Sequence, residues 1–164
     1  MITVYHGGIK TIEKPLVNIG RDNLDFGKGF YVSDILKQAK TWAEIKSHYY
    51  LDARGIINYY LLDFDNVIAK FRYKKFERYN QDWLRFIVDC RRGKPVWKSY
   101  DIIEGGVAND RVIDTVENYI AGLIDEVRAL GLLATQRPNN QICILNQEIV
   151  DKYLHFEKSV VLKG

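Results

Sequence analysis

The chain predicts an α+β domain built on a mixed or mainly antiparallel sheet. Short runs rich in β-branched and aromatic residues interleave with segments of helical apolar spacing. They do so without the regular period of a parallel βαβ fold. At 164 residues the length suits one domain, 1–164, with enough chain for a real core.

The first run, Ile2 to His6, reads as a strand and suits a buried position. Lys10 to Leu24, with Pro15, Gly20 and scattered polar residues, reads as loop. Phe30-Tyr31-Val32 reads as a short strand, and Ser33 or Asp34 as the cap of the helix that follows. That helix, from about Asp34 to Tyr50, sets Ile35, Ala39, Trp42 and Ala43 on or near one face as core. Gly55 to Phe64 reads as a strand, Asp63 to Asn66 as a turn, and Val67 to Tyr79 fits neither pattern. Asn80 caps a helix through Cys90, with Trp83, Leu84, Ile87 and Val88 inward, and Gly93-Lys94-Pro95 follows its end.

Tyr100 to Glu104 is a strand leading to Gly105-Gly106. Asn109 or Asp110 caps a long helix, Arg111 to Leu130, which Gly131 stops. Gln141 to Leu145 is a strand, Asn146 caps a short helix from Gln147 to Tyr153, and His155 to Leu162 closes as a strand.

Composition narrows the function classes. The net charge of +3 is too small to argue for nucleic acid by itself. Lys70 to Lys75 is basic and aromatic, a pattern that binds phosphates or coats a solvated face, and the second reading is preferred. Cys90 and Cys143 sit in apolar runs and read as reduced core thiols of a cytoplasmic protein. No apolar run spans a bilayer and the N-terminus carries no secretion pattern. His6, His48 and His155 have no ligand spacing with the cysteines, so no zinc site is expected.

Three stretches carry chemistry. Val4-Tyr5-His6-Gly7-Gly8 ends a strand in a histidine and two glycines. Asp25-Phe26-Gly27-Lys28-Gly29-Phe30-Tyr31 joins a glycine-flexed turn to an aromatic strand. Gly27 and Gly29 take backbone angles closed to other residues and admit a ligand to the main chain. Asn139-Asn140-Gln141 opens a late strand. A strand-end imidazole either is satisfied by the main chain as a core histidine or offers its free nitrogen to a ligand hydroxyl. A tyrosine after Gly-x-Gly either packs in the core or stacks on a flat cationic heterocycle, for about 1–2 kcal/mol.

In this order, and with Gln38-Ala39 and Trp42-Ala43 on the following helix, the stretches resemble the ADP-ribosyltransferase superfamily. The likeness is to its diphtheria-toxin-like, histidine–tyrosine–glutamate branch, and to one uncharacterised bacterial family placed near it. The resemblance implies a split two-sheet core with flanking helices and NAD as substrate. It implies cofactor-binding residues His6, Gly7, Gly8, Gly27, Gly29, Phe30, Tyr31 and Gln141, with Tyr31 on the nicotinamide ring and Gly7 on its carboxamide. It further implies an acceptor macromolecule or small molecule, and a small neutralising antitoxin protein as partner.

Where the branch has a catalytic glutamate this chain has Gln141. Breaking the nicotinamide–ribose bond builds positive charge on the sugar, and a carboxylate stabilises it. Glutamine keeps the hydrogen bonds and loses the charge. Either Gln141 suffices, or Asp110 supplies the charge from its helix start, with Glu148 and Glu104 behind it, or the site binds NAD without chemistry. The catalytic set is therefore Gln141, Tyr31 and Asp110. Transfer of ADP-ribose is the leading expectation. NAD hydrolysis and a non-catalytic NAD or ADP-ribose module are the alternatives.

Overall fold

A computed structural model describes residues 1–108 and 110–164. Its strands form two sheets, and the chain is α+β as expected. The first sheet is antiparallel, in the order β1 (Ile2–Gly8), β3 (Ile56–Leu62), β7 (Leu154–Val161). The second has the order β2 (Phe30–Val32), β6 (Gln141–Ile144), β5 (Ile102–Gly105), β4 (Tyr73–Lys75). It is antiparallel except where β4 runs parallel to β5. The sheets meet at β1 and β2, where Tyr5 and Ser33 exchange main-chain hydrogen bonds of 2.8 and 2.9 Å.

Strand alternation assigns the two faces of the second sheet to two cores. Phe30, Val32, Ile102, Ile142 and Ile144 face Val4, Tyr60 and Leu62 of the first sheet. Ile103 and Cys143 face the other way, toward Trp83, Leu84 and Ile87 of α3 (Gln81–Arg91). α1 (Leu36–His48) covers the far face of the first sheet through Ala39 and Ala43.

Several expectations shift at helix ends. α1 has Ile35 as its N-cap residue, with no side-chain cap bond. Ser33 Oγ instead accepts from the Ile35 N–H and donates to the Asn140 carbonyl. On α1 the core positions are Gln38, Ala39 and Ala43. Ile35 is exposed and Trp42 only half-buried, because the close approach to β1 leaves room for small residues alone.

α2 (Phe64–Lys70) takes in Phe64 to Asn66, expected as strand end and turn, with the start of the ambiguous stretch Val67 to Tyr79, which continues into β4. The single long helix is two, α4 (Asp110–Ile120) and α5 (Glu126–Leu133). Gly122, at φ +76°, ends the first, and Asp125 caps the second by accepting from the Arg128 N–H. Gly131 stops nothing and lies inside α5. The last helix is α6 (Gln147–Tyr153), capped by Asn146 as expected.

Asn80 accepts from the Trp83 N–H at 3.0 Å at the start of α3. Asn80→Ala removes that acceptor, and chemical denaturation should show a loss of about 1 kcal/mol.

Candidate functional site

His6 lies near the end of β1, beside β2. Its Nδ1 is 2.8 Å from the Tyr31 carbonyl oxygen. A carbonyl only accepts, so Nδ1 carries the proton and Nε2 of the neutral ring is an acceptor. Nε2 has no hydrogen-bond partner among the described residues and points past Gly8, whose added Cβ would sit 3.3 Å from it. The ring stacks on Phe30 with centroids 4.6 Å apart.

Burial lowers the His6 pKa to about 4, against the raising effect of the Tyr31 carbonyl and with a small lowering from Lys46. The folded ring is therefore neutral at pH 7. An unfolded ring takes up its proton near pH 6.5. Stability from this group is full above about pH 6.5 and is lost as pH falls toward 4, by about 3 kcal/mol at most. Denaturation curves at pH 7 and pH 4.5 should show that loss in the wild type and a smaller one in His6→Gln.

The glycines answer first to packing. A Cβ on Gly7 would stand 1.9 Å from the Ala39 carbonyl oxygen of α1. Gly27 has φ +88° and lies under the Trp97 ring, 2.1 Å from an added Cβ. A Cβ on Gly29 would meet Cys143 Sγ and the Ile144 carbonyl oxygen, both at 2.6 Å. At these three positions the space beside the backbone is filled by the chain itself, where the sequence suggested room for a ligand.

Tyr31 pairs with Cys143 across β2 and β6, and Gln141 lies two residues further along β6. Opposite residues, and residues two apart, share a face. Tyr31 and Gln141 are thus diagonal neighbours on the face turned toward α3. The Tyr31 hydroxyl donates to the Gly27 carbonyl at 2.5 Å and accepts from the Phe26 N–H at 3.1 Å, so the phenol ties its strand to the glycine turn. Burial, with Cys143 adding to it, holds this phenol protonated well above its usual range.

Gln141 is 3 % exposed, and its Nε2 donates to the Gly106 carbonyl at 3.4 Å. The segment 105–108 lies over it and is pinned at three further points. Trp83 Nε1 donates to the Gly106 carbonyl, the Tyr79 hydroxyl to the Val107 carbonyl, and the Ala108 N–H to Asp25. Asp25 is itself ion-paired to Arg91 at 2.7 Å.

Phe30 and Tyr31 are consecutive in β2 and project to opposite faces, and His6 stacks on Phe30. His6 therefore meets Tyr31 at its carbonyl, and the two rings lie on opposite sides of the strand. The two rings expected to line one cleft with Gly7 and Gln141 are thus parted by the strand. Two surface depressions of about 320 Å³ lie elsewhere, one beside Trp97, Tyr100 and Asp101, the other beside His48, Arg54 and Leu162.

The carboxylate candidates separate. Asp110 is the first residue of α4, but its side chain, like Asn109, lies outside the described residues. Glu104 faces the opposite side of the sheet from Gln141 and is held by Tyr73 and Asn140. Glu148 is exposed and pairs with Lys152. Asp25, buried and joined to the segment over Gln141, is a carboxylate that the sequence does not single out. Its signal was its place directly before Phe26-Gly27, where a loop acid that can bond main-chain N–H groups orders the turn.

The basic–aromatic run is occupied internally. Arg72 forms a two-pronged pair with Asp101, Lys74 meets Asp82 at 2.9 Å, and Lys70 lies 5.4 Å over the Tyr153 ring. Cys90 and Cys143 are buried and free. Among the described residues no three His, Cys, Asp or Glu side chains converge as metal ligands, and no helix is long and apolar enough to cross a membrane.

One family model matches residues 2–156, nearly the whole of this architecture. The chain belongs to the DUF3990 family, described as a protein of unknown function. No curated protein and no solved structure matches the chain.

Proposed function

We propose that this DUF3990 protein binds NAD and transfers its ADP-ribosyl group to an acceptor, releasing nicotinamide. One observation carries the reading. A strand-end imidazole is locked by Nδ1 onto the carbonyl of the Gly-x-Gly-Phe-Tyr tyrosine, beside the Tyr5–Ser33 bridge where the two sheets meet, with Nε2 left to accept. Gln141 on the Tyr31 face of the adjoining strand adds to it. The histidine and the tyrosine stand in the chain order of the histidine–tyrosine–glutamate branch that the sequence resembles, and Gln141 stands where that branch has its glutamate. In this reading the half-buried Tyr31 ring meets the nicotinamide and the Gln141 amide its ribose on one face of the sheet, while His6 Nε2, on the other side of β2, meets a ribose hydroxyl only where the ligand reaches round the strand.

The segment 105–108 must move for Gln141 to meet a ligand, since the side chain is all but enclosed. The test is purified protein with labelled NAD and cell lysate, following both free nicotinamide and label on macromolecules. Label on a macromolecule supports transfer. Nicotinamide without label supports hydrolysis, and no turnover despite NAD binding leaves only a binding module. That last reading is favoured by one feature: the buried acid joined to the segment over Gln141, Asp25, is already neutralised by Arg91.

Tyr31 gives a second handle. Tyr31→Ala should weaken NAD binding more than Tyr31→Phe does, because stacking uses the ring. Tyr31→Phe should still lower stability by about 1 kcal/mol, since its hydroxyl holds the Gly27 turn. Equal losses of affinity by calorimetry, with both variants folded, would take Tyr31 off the ligand.

A further inference from the structure

Asn140, the residue before Gln141, is held at four points. Its carbonyl accepts from the Ser33 hydroxyl and from Gln38 Nε2, each at 2.7 Å. Its Nδ2 donates to Asp34 Oδ1 and to Glu104 Oε1, each at 3.0 Å. The two hydrogens of one amide nitrogen diverge, so these carboxylate oxygens stand about 5 Å apart.

Glu104 is 8 % exposed, and its second oxygen accepts from the Tyr73 hydroxyl at 2.5 Å. Among the described residues, neither Asp34 nor Glu104 forms an ion pair. Two like charges drawn to one neutral amide, one of them buried, is an arrangement that a cation relieves.

A second observation points the same way. Gln38 Oε1 is buried without any hydrogen-bond partner, in a residue only 7 % exposed. Its own amide nitrogen is the one bonded to Asn140, so this orphan oxygen belongs to the same junction. Buried carbonyl oxygens are nearly always paired, and this one lacks a donor. The unfilled valences here, on Asp34, Glu104 and Gln38, are all acceptors.

We propose that this junction, where β2 runs into α1 and β6 begins, binds the guanidinium group of a ligand. Of its members Asp34 is exposed and Asn140 half-buried, while Glu104 and Gln38 are buried. A guanidinium is planar and spreads five N–H donors over its edges, so it pairs with a carboxylate and still reaches a separate carbonyl. A hard metal ion asks for six or more oxygens, and among the described residues no three His, Cys, Asp or Glu side chains gather here to supply them. Glu104 shares the Ile142 face of the sheet, opposite the Gln141 face, so the site stands without NAD.

Calorimetry on the full chain tests this with four probes. They are arginine amide, its neutral isostere citrulline amide, agmatine as a free small guanidine, and the peptide Gly-Gly-Arg-Gly-Gly as a chain-borne one. Arginine amide should bind saturably and citrulline amide should not. Asp34→Asn and Glu104→Gln should each weaken binding about tenfold or more. Glu148→Gln, an exposed acid already paired to Lys152, should leave it unchanged. Asp34 is exposed, so Asp34→Asn decides the matter if Glu104→Gln fails to fold. Tighter binding of the peptide than of agmatine assigns the guanidinium to a protein side chain, and the reverse order assigns it to a small molecule. No saturable binding of any guanidinium probe overturns the proposal. So does equal binding by wild type and Asp34→Asn, or binding of Ca²⁺ that arginine amide does not displace.

Discussion

Gly7→Ala should unfold the protein or cost it about 3 kcal/mol or more, before any question of NAD arises. The added methyl carbon would sit 1.9 Å from the Ala39 carbonyl oxygen and 2.9 Å from the Ala43 nitrogen. Both are backbone atoms of α1, so no rotamer change relieves the overlap, and the helix must leave the sheet. That displacement would strip the small third core, which depends on Ala39 and Ala43. Gly131 is the control. It lies inside α5 with nothing within 4 Å of an added Cβ. Gly131→Ala should therefore stabilise the protein by about 0.5–1 kcal/mol. Urea denaturation of both variants checks the pair. A Gly7→Ala protein of wild-type stability that had lost NAD affinity would return Gly7 to the ligand site.

This result bears on what the sequence could and could not reveal. Strand and helix periodicity located nearly every element, because each buries a face whose spacing is written locally. Asn80 and Asn146 were legible as caps for the same reason: the cap bond spans only two or three residues. The packing of the glycines is not legible, because their partners are distant in sequence. Gly7 answers to Ala39, Gly27 to Trp97 and Gly29 to Cys143. A glycine that admits a ligand and a glycine that admits a helix look alike in one sequence.

The long helix failed at Gly122 and Asp125, where apolar spacing runs on through the break while the local turn chemistry says otherwise. Site geometry was legible in part. His6 and Tyr31 touch, and Tyr31 and Gln141 share a face, as strand order and period allow. That the His6 ring lies with Phe30 on the other side of β2 depends on how the two sheets meet, and no local pattern encodes it.

Gln141 carries the remaining weight, and its environment sharpens what substitution should do. In the proposed reaction, Gln141→Ala should abolish nicotinamide release, while Gln141→Glu should keep or raise it, since a carboxylate stabilises the sugar cation in the transition state. The gain is worth a few kcal/mol, roughly a hundredfold in rate. The same change should destabilise the fold. Gln141 Nε2 donates to the Gly106 carbonyl, and a carboxylate there would set an anion against that oxygen in a residue 3 % exposed.

Burial would raise the new carboxyl above its unfolded value near 4.3. At a pH below that value the acid is protonated in both states, donates to Gly106 again, and the stability gap to wild type should nearly close. As pH rises through the raised folded pKa the gap should open, and catalysis should rise with it, because only the ionised form stabilises the cation. Opposite pH trends in stability and rate are thus expected of Gln141→Glu and not of wild type. Gln141→Met, similar in volume and without the donor, separates loss of packing from loss of the amide. Nicotinamide release and urea midpoints, each followed from about pH 4 to pH 8, make the comparison. If wild type and Gln141→Glu both bind NAD and neither releases nicotinamide at any pH, the protein is a reader of NAD or of an ADP-ribosyl group. Catalysis is then ruled out for this site.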